Sequence, residues 1–376
     1  MNARQRFIET LTFGNPDKIP FSPGGPREST LARWHREGLP EGLNYFEALC
    51  REIGIEAEQT QPYVDPKVSF RMIPAFEEKV LEHKDGHYVV QDWMGTVVEI
   101  SDRYDVTYLR SAKDFVTRKY IRFPVKSRDD WEDMKRRYIA DTPDRFPEDF
   151  RDRCRQLKKR DYPLSIHFSG PFWQLRDWCG LENLCIMMIE EADFVEEMAG
   201  FWGDFIATVL DRLLEEICPD RILINEDMAY KAHSMISPAM VNRYLVPAYR
   251  KWIPKLRAKS CPIIEMDSDG YIGELIPIWI DAGFNCCSPV EVAAHNDIVE
   301  YRNLYQSKMA FQGGIDKRCI AKGGKAIERE LMRVVPSLLS RGGGFIPSCD
   351  HGVPSDISWR NFIEYSRLLA KLTGWL

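Results

Sequence analysis

The chain has 376 residues, 44% of them hydrophobic, enough to bury one large core, and barrels well above the usual domain length fold as one unit. Its 51 basic and 57 acidic side chains leave a net charge of -6 with no long run of one sign. That excludes the basic footprint of a nucleic-acid binder and favours a small-molecule partner. Met1–Thr10 is polar and no run of about 18 apolar residues occurs, so neither a secretory leader nor a membrane span is expected, and a cytoplasmic location is. The ten cysteines lie scattered without a CxxC pair and read as reduced core residues.

In chain order, an amphipathic opening helix leads to a short strand at Lys18–Phe21 and a helix at Glu28–Glu37. From about 59 to 138 the pattern changes. His87–Val90 and Thr96–Ile100 alternate like strands around Asp85-Gly86 and Met94-Gly95 turns, which predicts hairpins. This stretch is expected to be an insertion covering the mouth of a barrel within one domain, 1–376. From residue 160 short apolar runs at Leu164–Ser169, Arg221–Asn225, Pro262–Met266, Phe284–Ser288, Met309–Gln312 and Gly344–Pro347 alternate with helical patterns such as Asp193–Cys218, Pro238–Ala258 and Ala326–Ser340. Strand–helix alternation of this kind gives parallel strands joined by crossover helices, and the expected fold is an α/β TIM (β/α)8 barrel.

In such a barrel the chemistry sits where the strands finish. The residues there are His167; Asn225, Glu226 and Asp227; Asp267, Ser268, Asp269 and Gly270; Glu291; Asp316, Lys317 and Arg318; then Cys349, Asp350 and His351. Carboxylates crowded together raise one another's pKa unless a cation or protons intervene, so a bound metal or a cationic substrate is expected. Each residue also has a plainer reading. Asp269 could cap a helix, Cys349 could be a small buried residue, and Asp316-Lys317-Arg318 could form a structural ion-pair network. Neighbours in an extended segment point to opposite faces, so one of Glu226 and Asp227 looks inward, and Glu226 is the choice.

The segments Asn2-Ala3-Arg4-Gln5-Arg6-Phe7, Asp17-Lys18-Ile19-Pro20-Phe21, Leu181-Glu182-Asn183-Leu184, Glu226-Asp227-Met228-Ala229-Tyr230-Lys231, Asp267-Ser268-Asp269-Gly270, Gly313-Gly314-Ile315-Asp316-Lys317-Arg318 and Pro347-Ser348-Cys349-Asp350-His351 together resemble the uroporphyrinogen decarboxylase superfamily. The resemblance spans nearly the whole chain. That superfamily holds decarboxylases and corrinoid-dependent methyltransferases, and fold does not choose between them. The arginine-containing segment of the decarboxylases is reduced here to Arg27, and an acidic mouth would repel a polyanionic porphyrinogen.

The resemblance to the zinc methyltransferases implies a metal at Asp267, Asp269 and Cys349, with zinc expected to act as a Lewis acid on a substrate oxygen. It also implies a corrinoid on a partner protein as methyl acceptor, and a homodimer. The favoured function is removal of a methyl group from a small methoxylated aromatic, with Glu226, Asp267 and His351 in the chemistry and His167, Arg27, Lys317, Arg318, Trp93 and Trp173 binding substrate. Two other readings stay open. One is a metal-independent decarboxylase or lyase of a small acid held by Lys317 and Arg318; the other is a corrinoid- or ligand-binding protein without catalysis.

Overall fold

In the computed structural model the described residues are 1–56, 58, 64–105, 108–109, 114 and 116–376. Two sheets organise them. The smaller is antiparallel, with β1 (Lys79–Lys84), β2 (His87–Gln91), β3 (Val97–Ser101) and β4 (Lys119–Arg122) in sequential order. Its first turn is Asp85-Gly86, both at positive φ (53° and 75°), the conformation an Asp-Gly hairpin turn favours. The expected hairpins are therefore present, while the expected boundary at residue 59 lies outside the described residues. The connection between β3 and β4 meets the helix Glu28–Arg36, where the Ser29 amide donates to Asp114 at 2.7 Å and the Tyr108 hydroxyl donates to Glu28.

The larger sheet is wholly parallel. Its strands are β5 (Ser165–Ser169), β6 (Arg221–Asn225), β7 (Ile263–Asp267), β8 (Cys286–Ser288), β9 (Ala310–Ile315) and β10 (Phe345–Cys349), paired strictly in sequence. Helices cross between them, among them Ala192–Glu216, Lys325–Leu339 and Trp359–Leu372. All six predicted apolar runs become strands of this ladder. The early strand predicted at Lys18–Phe21 does not form. Pro20, Pro23 and Pro26 lack the amide hydrogens that a ladder needs, and the contact shifts down the chain. There Cys349 N donates to Pro23 O, Val353 N donates to Gly25 O, and Pro26 bridges Val353 in parallel.

Register decides what each face carries. In a parallel ladder directly paired residues share a face, and the side-chain period is two. Met266, Cys287, Phe311 and Phe345 are linked in this way and all pack into the main core against the helices. The opposite face holds Asn225, Asp267 and Ser288 in one row. At the start of the strands this second face is closed by a small apolar cluster, in which Phe7 and Leu11 of the opening helix Ala3–Leu11 meet Ile263, Cys286, Ala310 and Ile346. No helix among the described residues is long and apolar enough to cross a membrane.

Candidate active site at the strand ends

Where β7 ends, Asp267 shares its face with Asn225, whose side-chain amide donates to it. Burial, then the charges of Glu265, Asp269 and Asp227, push its carboxyl up to about 7. Two residues on, Asp269 reaches across to the loop after β10, where His351 Nε2 lies 2.9 Å from its carboxylate. The other imidazole nitrogen, Nδ1, is 3.1 Å from the Arg27 guanidinium. Arginine only donates, so Nδ1 accepts and the hydrogen sits on Nε2, facing Asp269. The Asp269 contact raises the His351 pKa above its ordinary value, against burial and the nearby Arg27 and Lys317 charges. Arg27, which the family resemblance offered for substrate binding, thus stands with the strand-end residues His351, Asp269 and Asp267.

The Glu226-Asp227 pair resolves differently from expectation. Glu226 is fully buried; its carboxylate accepts from the Tyr249 hydroxyl and from the Trp173 amide at 3.0 Å. It therefore caps the helix Pro171–Cys179, a position that satisfies otherwise unpaired amides. The fit is close, because a Cβ on Gly170 would come within 2.2 Å of the carboxyl group. Burial still pushes Glu226 up to about 7. Asp227 is the member with a third of its side chain exposed. It sits at φ 44°, so the chain leaves the strand's alternation and both neighbours need not obey it.

Sequence reasoning missed the partner of Asp227. Arg176 donates to the Asp227 carbonyl at 2.9 Å and approaches its carboxylate at 3.6 Å, while its guanidinium stacks over Trp173 at 4.5 Å. The spacing from Trp173 to Arg176 is three residues on a helix, which places the two side chains together. His167 is exposed on β5, paired with Leu223 and on the same face as Asp267. Trp93 lies instead between β2 and β3, beneath the Arg71 guanidinium at 5.1 Å, so it belongs to the small sheet.

The two basic residues after β9 are engaged. Lys317 Nζ is 2.8 Å from Glu291 and 3.8 Å from Asp350, and Arg318 forms a two-pronged pair with Asp316. Asp350 is fully buried, and burial pushes it up to about 6 despite Lys317. The ion-pair network weighed for this segment is what the structure contains.

Cys349 pairs with Ile315 and follows Phe345 by four residues, so it faces the helices and joins the main core. Its thiol is pushed up to about 12 by burial. Asp267 is on the other face. Among the described residues no group of three or more His, Cys, Asp or Glu is arranged to hold a metal ion, and the ligand set Asp267, Asp269 and Cys349 is not assembled. The strand's period of two, applied from Phe345, is the signal that would have shown this.

No curated protein matches the chain. Among solved structures it is similar to a methyltransferase from Methanosarcina mazei, with a TM-score of 0.60 and 15% identity over 100% of this chain and 98% of that one; at that identity the likeness concerns fold. The sequence pattern of the family described as uroporphyrinogen decarboxylase (URO-D) matches residues 114–367, well over half the chain, including all six parallel strands and every strand-end carboxylate described above. The chain belongs to the uroporphyrinogen decarboxylase family.

Proposed function

We propose that the chain is the substrate-side methyltransferase of a corrinoid-dependent demethylation system, acting on a small methoxylated aromatic. The observation that supports this reading is the line of Arg27, His351 and Asp269 beside Asp267, all at the end of the parallel sheet where barrel enzymes do their chemistry. When a methyl group leaves an ether, the oxygen keeps the bonding electrons and needs a proton. Asp267, held near neutrality, carries one for a substantial fraction of the time at pH 7 and can release it to that oxygen. His351, fixed in one tautomer by Arg27, orients Asp269 and keeps the second carboxylate engaged. Trp173, braced by Arg176, and the exposed His167 form the walls of the substrate pocket. In this reading the antiparallel sheet β1–β4 is the cover of the mouth, its β3–β4 connection bonded to the helix after Arg27.

The corrinoid, carried by a partner protein, supplies the methyl acceptor. Zinc at Asp267, Asp269 and Cys349 takes no part in this scheme, because the thiol faces the other side of the sheet. Glu226 takes none either, being occupied as a helix cap. A lyase that holds its acid through Lys317 and Arg318 is disfavoured by the carboxylates already paired with both.

The test is incubation of the purified chain with a reduced corrinoid protein and a panel of methoxylated aromatics, following free phenol and methylated corrinoid together. Both products should appear in equal amounts. Absence of turnover across the panel, with the chain folded and the corrinoid reduced, overturns the proposal.

A further inference from the structure

The face of the parallel sheet that carries Asp267 is packed on one side and open on the other. Under β7 to β10 the residues near the strand starts are Ile263, Cys286, Ala310 and Ile346, closed off by Phe7 and Leu11. Along β5 and β6 the same face carries Ser165 and His167, then Arg221 and Leu223, and none of these four is buried. Barrel interiors are filled mostly by branched apolar side chains. A polar, accessible strip running down from the strand ends is a departure that packing does not explain.

A cation stands at the foot of this strip. Arg221 donates from Nε to Ser165 Oγ at 2.8 Å and from Nη1 to Glu265 Oε2 at 3.2 Å, and its guanidinium lies 5.6 Å from the centre of the Phe7 ring, which closes the floor. Gln312 Nε2 donates to the same Glu265 oxygen at 2.6 Å, and Glu265 is 1% exposed. The carboxylate is thus enclosed, while the arginine side chain stays 23% exposed. A guanidinium has five N–H donors; Ser165 and Glu265 engage two of these, and the others meet no acceptor among the described residues. On the neighbouring strand, His167 pairs with Leu223, two residues after Arg221, and is exposed on the same strip.

We propose that Arg221 and His167 form a carboxylate-binding subsite, and that it takes a methoxylated aromatic acid with its carboxylate pointing down the strip. The proposal rests on the reading of a methoxylated aromatic substrate and adds the group at the other end of the ring. Glu265 lies two residues before Asp267 on one face of β7, about 6–7 Å along the strand, and it holds Arg221 Nη1 at that level. A benzene ring with substituents at opposite corners bridges such a length, so an ether oxygen near Asp267 and a carboxylate near Arg221 fit on one small molecule. The planar fork of arginine suits a carboxylate, which it meets with two parallel hydrogen bonds. Glu265 fixes the fork from its enclosed side, and the His167 imidazole supplies a further donor from β5.

The experiment is titration calorimetry of the full chain with 4-methoxybenzoate and with 4-methoxybenzamide, a neutral compound of the same shape, at low and high salt. The acid should bind about 10-fold or more tightly than the amide, and high salt should narrow the gap. Arg221→Gln should abolish the preference for the acid. Since that change leaves Glu265 short of a donor, the double variant Arg221→Gln, Glu265→Gln is measured beside it, with its fold checked by circular dichroism, and should show the same loss. His167→Ala, at an exposed position, should reduce the preference by a smaller factor. Equal affinities for acid and amide in the wild type, no binding of either, or a preference that survives the loss of Arg221 overturns the proposal. Turnover separates it from the reading on which it rests. Acid-selective binding without demethylation supports the subsite and removes methyl transfer, whereas demethylation of acid and amide with equal kcat/KM removes the subsite alone.

Discussion

Where the parallel strands begin, Phe7 and Leu11 close against Ile263, Cys286, Ala310 and Ile346. Where the same strands finish, Asp227, Asp267 and Asp269 gather with Arg176, Arg27 and His351 around them. The same two-residue alternation supplies both, since Ile263 and Asp267 share a face of one strand. Packing at the first end lowers the free energy of the fold. Crowded charge at the second raises it, and the proposed proton transfer supplies a reason for keeping it. Changes at the base should therefore cost stability without touching turnover, and changes at the mouth should do the reverse.

The largest effect is expected at the base. Leu11→Ala empties a fully buried position and should lower the unfolding free energy by about 2–5 kcal/mol, measured by urea denaturation, with the rate of demethylation per folded chain unchanged. A fall in that rate would mean that the base and the mouth are coupled. At the mouth, Asp267→Asn should slow demethylation about 100-fold or more, while the unfolding free energy holds or rises, because a buried carboxylate crowded by like charges has gone. A large loss of stability in this variant would break the contrast.

The third effect depends on pH. Glu226 is held at about 7 against an ordinary 4.5, so the folded state binds its proton more tightly than the unfolded chain does. Its stabilising contribution is full below pH 4.5 and is lost as pH climbs to about 7. Asp267, also raised, acts with the same sign. Between pH 5 and 8 the unfolding free energy should fall by about 2 kcal/mol on account of Glu226, and Glu226→Gln should flatten that part of the slope. A stability that rises over this range would show that Glu226 stays ionised in the fold. The smallest effect belongs to Cys349→Ser, about 1–2 kcal/mol from a hydroxyl placed in an apolar layer, with metal content by elemental analysis the same as in the wild type. Loss of a bound zinc in this variant would restore Cys349 to the site.

The sequence made the parallel sheet legible because strands buried on both sides leave unbroken apolar runs, and the charges just beyond those runs mark where the strands finish. Asp267, Asp269 and His351 were found in that way, and Arg27 through the family resemblance. Two things were hidden. The direction of a side chain at a strand's last residue turns on parity, and Cys349 was set at the metal by the family resemblance when Phe345 and Ile315 decide its face. The choice between Glu226 and Asp227 turned on a single residue at positive φ, which interrupts the alternation on which the inference rested. The early strand failed for a chemical reason already visible, the prolines at 20, 23 and 26.

Gly170 carries a consequence of its own. With no room for even a methyl group beside Glu226, the smallest substitution there would evict the carboxylate from its helix cap. Asp227 is the next residue along the chain, and the Glu226 amide donates to the Asp267 carbonyl at 2.9 Å. Gly170 thus acts as the gauge that leaves this carboxylate its place on the helix cap.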